Sequence, residues 1–90
     1  MYLHIGNNNI VKQKDLIAIY NIESIKETVE YKNLIEKLKE THALIKEDGI
    51  EPKSLIIAKN GDNVIGYISN ISSTTIAKRT QNNIKIKYKQ

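Results

Sequence analysis

The sequence predicts an α+β domain: a small antiparallel or mixed sheet of about four strands, one long helix (about 24–47) on one face, and a short C-terminal helix (about 72–79). Three observations carry this expectation. Short apolar runs bounded by Gly and Asn occur in both halves of the chain. An apolar stripe with steps of three and four runs through the middle, and Asn60-Gly61 separates two further apolar runs.

Each element has its own signal. Tyr2-Leu3-His4-Ile5 is a β-prone run that stops at Gly6 and the asparagines Asn7, Asn8 and Asn9, residues that tolerate left-handed turns, so a hairpin is expected. The return strand starts near Ile10-Val11, is interrupted by Lys12-Gln13-Lys14-Asp15, and resumes as Leu16-Ile17-Ala18-Ile19-Tyr20. An uninterrupted apolar run of that length suits a strand buried on both faces.

Ser24 and Glu27 have capping-box spacing, which marks a helix start. Ile25, Val29, Tyr31, Leu34, Ile35, Leu38, His42 and Ile45 then form one stripe, with lysines and glutamates opposite. Gly49 and Pro52 stand in the usual order of helix-stop signals. Ser54-Leu55-Ile56-Ile57-Ala58-Lys59 and Val64-Ile65-Gly66-Tyr67-Ile68 flank Asn60-Gly61-Asp62-Asn63 as a second hairpin. Ser72-Ser73-Thr74-Thr75 opens a short helix that closes on Lys78-Arg79, basic residues that complement the helix dipole. The tail Ile84-Lys85-Ile86-Lys87-Tyr88-Lys89 alternates strictly, as a strand with a lysine face does, and a frayed end fits it equally. The expected organisation is one domain over 1–80 and a basic tail over 81–90.

At 90 residues, with 40% hydrophobic side chains, the chain is long enough for one small core, near the size at which oligomerisation often adds stability. It has no cysteine, which excludes disulfides, thiolate catalysis and cysteine zinc sites. No apolar run approaches the ~20 residues that span a bilayer, so a cytoplasmic protein with no membrane partner is expected.

Charge divides the chain. From residue 53 onward seven basic residues (Lys53, Lys59, Lys78, Arg79, Lys85, Lys87, Lys89) face one acid, Asp62, whereas the first 52 residues set seven lysines against nine carboxylates. The halves carry +6 and −2. Such a division points to a polyanionic partner or to self-association of unlike faces.

The inventory for catalysis is thin. There is no Gly-rich phosphate loop, His-Glu-x-x-His motif or Gly-x-Ser-x-Gly elbow. His4 and His42 read as structural or surface residues, and the pairs Glu47/Asp48 and Glu36/Glu40 as ordinary products of a Lys/Glu-rich face. No catalytic residue, cofactor or metal is expected. The hydroxyls of Ser72 to Thr75 either cap the helix or, with Lys78 and Arg79 one turn later, meet a phosphate. With five tyrosines but no Phe or Trp, duplex phosphate contact suits the chain better than stacking on single strands.

Four segments together, Tyr2-Leu3-His4-Ile5-Gly6, Lys14-Asp15-Leu16-Ile17-Ala18-Ile19, Glu51-Pro52-Lys53-Ser54 and Ile71 through Arg79, resemble the RemA/RemB family of bacterial extracellular matrix (biofilm) regulators, closest to the RemB branch. The resemblance implies a non-enzymatic transcription regulator that forms a ring-like homo-oligomer and binds duplex DNA through repeated basic loops. It also implies one departure. The RemA branch carries adjacent arginines in the turn before the third strand, where this chain has Gly49-Ile50-Glu51-Pro52-Lys53 and only Lys53 is basic. Phosphate contact then rests on Lys53, Lys78 and Arg79. The alternative is a structural or interaction module that oligomerises without binding DNA directly.

Overall fold

The computed structural model describes residues 1–80 and the backbone of 87–89. Strands β1 (Tyr2–His4) and β2 (Ile10–Lys12) form an antiparallel hairpin that is a sheet of its own. The main sheet has the order β4-β6-β5-β3, built from β3 (Leu16–Asn21), β4 (Leu44–Ile45), β5 (Ser54–Asn60) and β6 (Asn63–Ser69). Lys87–Lys89 lies beside β3 as a short parallel strand, β7. The rest of the expected tail strand falls outside the described residues. Among the described residues three α-helices complete the fold: α1 (Ile22–Ile25), α2 (Val29–Glu40) and α3 (Ser73–Arg79).

The polar interruption at Lys12 to Asp15 explains why one apparent return strand becomes two. Gln13–Asp15 form a 3-10 turn, and the Gln13 N–H donates to the Met1 carbonyl, which closes the first hairpin and redirects the chain into the main sheet. At the hairpin tip Asn7 and Asn8 both take positive φ (55° and 64°), and the Asn9 N–H donates to the Gly6 carbonyl. This is the two-residue left-handed turn that asparagine tolerates. The second hairpin also forms, with Asn60 paired to Asn63 around Gly61-Asp62; positive φ falls on Gly61, the first loop residue, the pattern of a type II′ turn.

The expected helix over 24–47 is instead two helices and a strand. Ser24 and Glu27 do not cap it. Asn21 Oδ1 accepts from the Glu23 N–H to start α1, and Thr28 Oγ1 accepts from the Tyr31 N–H to start α2, after its own hydroxyl has closed on the Ile25 carbonyl. Both use the short polar side chains that favour this position. The stop is not Gly49 either. The Ala43 N–H donates to Leu38 O and the His42 N–H to Lys39 O, a Schellman arrangement with His42 at φ +57° in the place glycine usually takes. The chain thereby turns early, and Leu44–Ile45 pairs in parallel with the outer edge of β6.

The main sheet divides the interior into two cores. On one face Leu16, Ile19, Ile56 and Ala58 pack with Leu3, Ile5 and Val11 of the first hairpin and Ile76 of α3. On the other, Ala18, Leu55, Ile57 and Ile68 pack with Ile22 and Leu38. Strands β3 and β5 are therefore sandwiched, as the unbroken apolar run Leu16 to Tyr20 anticipated; Ile17 escapes at an irregularity in the register between Leu16 and Ala18.

Two details fix the layers. A Cβ on Gly66 would stand 2.7 Å from Leu38 Cδ1, so the bare backbone of β6 lets α2 approach the sheet. On the opposite layer, Ser54 and Ser69, paired across β5 and β6 and almost fully buried, hold one residue between them. Ser54 Oγ donates to the Ile71 carbonyl (2.8 Å) and Ser69 Oγ accepts from the Ile71 N–H (2.9 Å). This latch sets where α3 begins.

Gly66→Ala is expected to destabilise the fold by about 1–3 kcal/mol through overpacking, read as a lower urea midpoint. In a Leu38→Ala background the same change should cost much less, since the clashing methyl is gone. Ser54→Ala leaves a partly buried carbonyl without its donor and is expected to cost about 1 kcal/mol; an unchanged midpoint would show that the latch is dispensable.

Candidate nucleic-acid interface

Helix α3 organises the candidate residues. Ser72 caps it, its Oγ accepting from the Thr75 N–H (3.2 Å) and donating to Thr75 Oγ1 (2.9 Å), while Ser73 is buried. Ser72 and Thr75 thus serve the helix start, the ordinary role of such residues. Lys78 and Arg79 are exposed in the last turn, where cations complement the helix dipole. Arg79 is also a tie: its Nη1 donates to the His4 carbonyl at 2.9 Å and links α3 to β1.

Lys53 precedes β5 and is exposed. Its backbone is held on both sides, the N–H donating to Ser69 O (2.8 Å) and the C=O accepting from the Ile22 N–H (3.0 Å). Its neighbours form a shallow cleft of about 220 Å³ lined by Asn21, Glu23, Glu51, Pro52, Lys53, Ser72, Ser73 and Thr74. Lys53 therefore sits by the start of α3, and Lys78 and Arg79 at its other end, ~10 Å along a seven-residue helix. The three cations flank α3 rather than converge on one point. Lys53 shares its cleft with the carboxylates of Glu23 and Glu51, whereas among the described residues no carboxylate lies within ion-pair distance of Lys78 or Arg79.

Folding re-sorts the charge of the chain by layer. The hairpin (residues 1–12) and segment 69–80, far apart in sequence, lie on the same face of the main sheet and contain Lys12, Lys78 and Arg79 but no Asp or Glu, and the 3-10 turn that follows the hairpin adds Lys14 and Asp15. Residues 22–52, which supply α1, α2, β4 and the loop beyond, hold eight carboxylates against five lysines. Lys12 was not singled out by sequence reasoning. The signal that finds it is the absence of acids from two segments that only the fold brings together.

Among the described residues no three His, Cys, Asp or Glu side chains are grouped so as to hold a metal ion, and no helix is long and apolar enough to cross a membrane. Burial raises the pKa of the Tyr31 phenol, in the α2 layer away from these cations.

The four segments that carry the family resemblance meet around α3. Gly6, at φ +102°, lies so close to the end of β6 that an added Cβ would stand 2.7 Å from Ser69 Oγ. Leu16 and Ile19 pack in one core with Ile76, and Ser54 bonds the residue before the Ser72 cap. The segments thus form one structural unit. No curated protein matches the chain significantly. A family model does, that of RemA-like proteins, described as extracellular matrix regulatory protein A-like, over residues 2–80. The match takes in every element from β1 through α3, and the chain belongs to the RemA-like family.

Proposed function

We propose that the chain is a non-enzymatic, cytoplasmic, DNA-binding transcription regulator of the extracellular matrix regulator type, acting as a homo-oligomer and closest to the RemB branch. Family membership gives the regulatory theme. The observation that carries DNA contact is the basic last turn of α3 beside a hairpin that itself holds no Asp or Glu, with Lys78 and Arg79 exposed and, among the described residues, without an ion-pair partner. Lys53, at the other end of α3, extends the basic track, although Glu23 and Glu51 weaken it locally. Each copy offers only a few cations, so useful affinity comes from repeating the site in an oligomer along one duplex.

The cleft at Lys53 favours a second reading, in which Lys78 and Arg79 meet the acidic helical layer of a neighbouring copy and no DNA is bound directly.

Two measurements separate the readings. With a labelled duplex, fluorescence anisotropy is expected to show affinity falling steeply between ~50 and ~200 mM salt, as counterion release demands; no binding at low salt overturns the first reading. Under the second, Lys78→Glu with Arg79→Glu lowers the mass seen by light scattering, and a wild-type mass in that variant removes the interface.

A further inference from the structure

The first hairpin presents an outward face that the core does not use. Its register pairs Tyr2 with Lys12 and His4 with Ile10. Leu3 and Val11 point inward and are buried, while Tyr2 (63% exposed), Ile10 (48% exposed), His4 and Lys12 point outward. Arg79 joins this ribbon to α3 through the His4 carbonyl, so the exposed ribbon face and the basic end of α3 are held as one surface. That surface has cations and no carboxylate from its own segments.

We propose that the β1-β2 ribbon is part of the nucleic-acid interface: its outward face lies against a B-form duplex, Lys12 contacts phosphate beside Lys78 and Arg79, and Arg79 also positions the ribbon. This rests on the DNA-binding reading above and shifts its centre from the Lys53 cleft to the hairpin. Charge complementarity selects the partner. A polyanion gains from a face that brings cations without acids, whereas the helical layer of a second copy is mixed, with five lysines among its eight carboxylates. Shape agrees, since a two-stranded β-ribbon fits the major groove of B-form DNA. Tyr2, His4 and Ile10 supply polar and apolar atoms between the cationic positions, a composition suited to lying on a sugar-phosphate wall.

The test uses the full chain and a labelled duplex, with anisotropy measured over a salt series and mass by light scattering. Lys12→Gln is compared with Lys32→Gln, an exposed lysine of α2 on the opposite layer. If Lys12 meets phosphate, the slope of log affinity against log salt becomes shallower by roughly 0.9 for each Lys12 engaged, with the oligomer mass unchanged and Lys32→Gln like wild type. A wild-type slope in Lys12→Gln, from a wild-type protein that does bind, overturns the ribbon's role while leaving DNA binding intact. A lowered mass in Lys12→Gln overturns it in favour of a contact between copies, and a wild type that binds no duplex overturns both readings.

Discussion

Two buried hydroxyls hold the hairpin and α3 of this molecule in register. The Ser54 and Ser69 side chains, from strands paired at the end of the sheet, satisfy the carbonyl and the N–H of Ile71. A turn leaving a strand at the rim of a packed domain leaves partly buried peptide groups outside the ladder, and each one left unpaired carries a penalty. The serines remove that penalty for one geometry only. Ile71 is fixed, Ser72 follows as the cap of α3, Ile76 enters the core, and Arg79 reaches the carbonyl of His4. The position of the N-terminal hairpin is thus defined from the middle of the chain outward. The close approach of Gly6 to Ser69 belongs to the same constraint, because a side chain at position 6 would displace the hydroxyl that anchors Ile71.

The main sheet is a partition as well as a scaffold. Its central strands bury side chains on both faces, so two layers of different charge are built on one apolar wall. The hairpin and the last turn of α3 carry cations and no acid of their own, and residues 22–52 on the other layer hold most of the carboxylates. Linear charge statistics placed the basic character in the C-terminal half. The fold moves part of it to Lys12 and Lys14, in the half with net negative charge.

Much of the architecture was legible because its signals are local. Turn chemistry at Gly6 to Asn9 and at Gly61, the cap at Ser72 and the long apolar run of β3 each declare themselves within a few residues. The end of α2 was not, because the left-handed residue that closes it is His42 instead of glycine and the apolar spacing to Ile45 continues the helical stripe past it. The division into two sheets turns on the 3-10 turn at Gln13–Asp15, whose anchor is the carbonyl of Met1. The candidate cations Lys53, Lys78 and Arg79 were identifiable as charges, but their placement at opposite ends of α3 and the bond from Arg79 to β1 are long-range outcomes. The grouping of Lys12 with Lys78 and Arg79 required knowing that the hairpin and segment 69–80 share a face.

That shared face has a consequence for the order in which the contacts of the domain close. The hairpin β1-β2 lies far in sequence from the residues that pin it, which run from Ser69 at the end of β6 through Arg79 of α3. Helix α2, with its own cap and its own stop, and the tight hairpin of β5 and β6 bring their closing contacts from nearby residues. Contacts of high sequence separation form late because loop closure must be paid first. The basic surface is therefore expected among the last parts of the domain to close, since Lys12 of the hairpin and the cations of α3 come together only through contacts of high sequence separation.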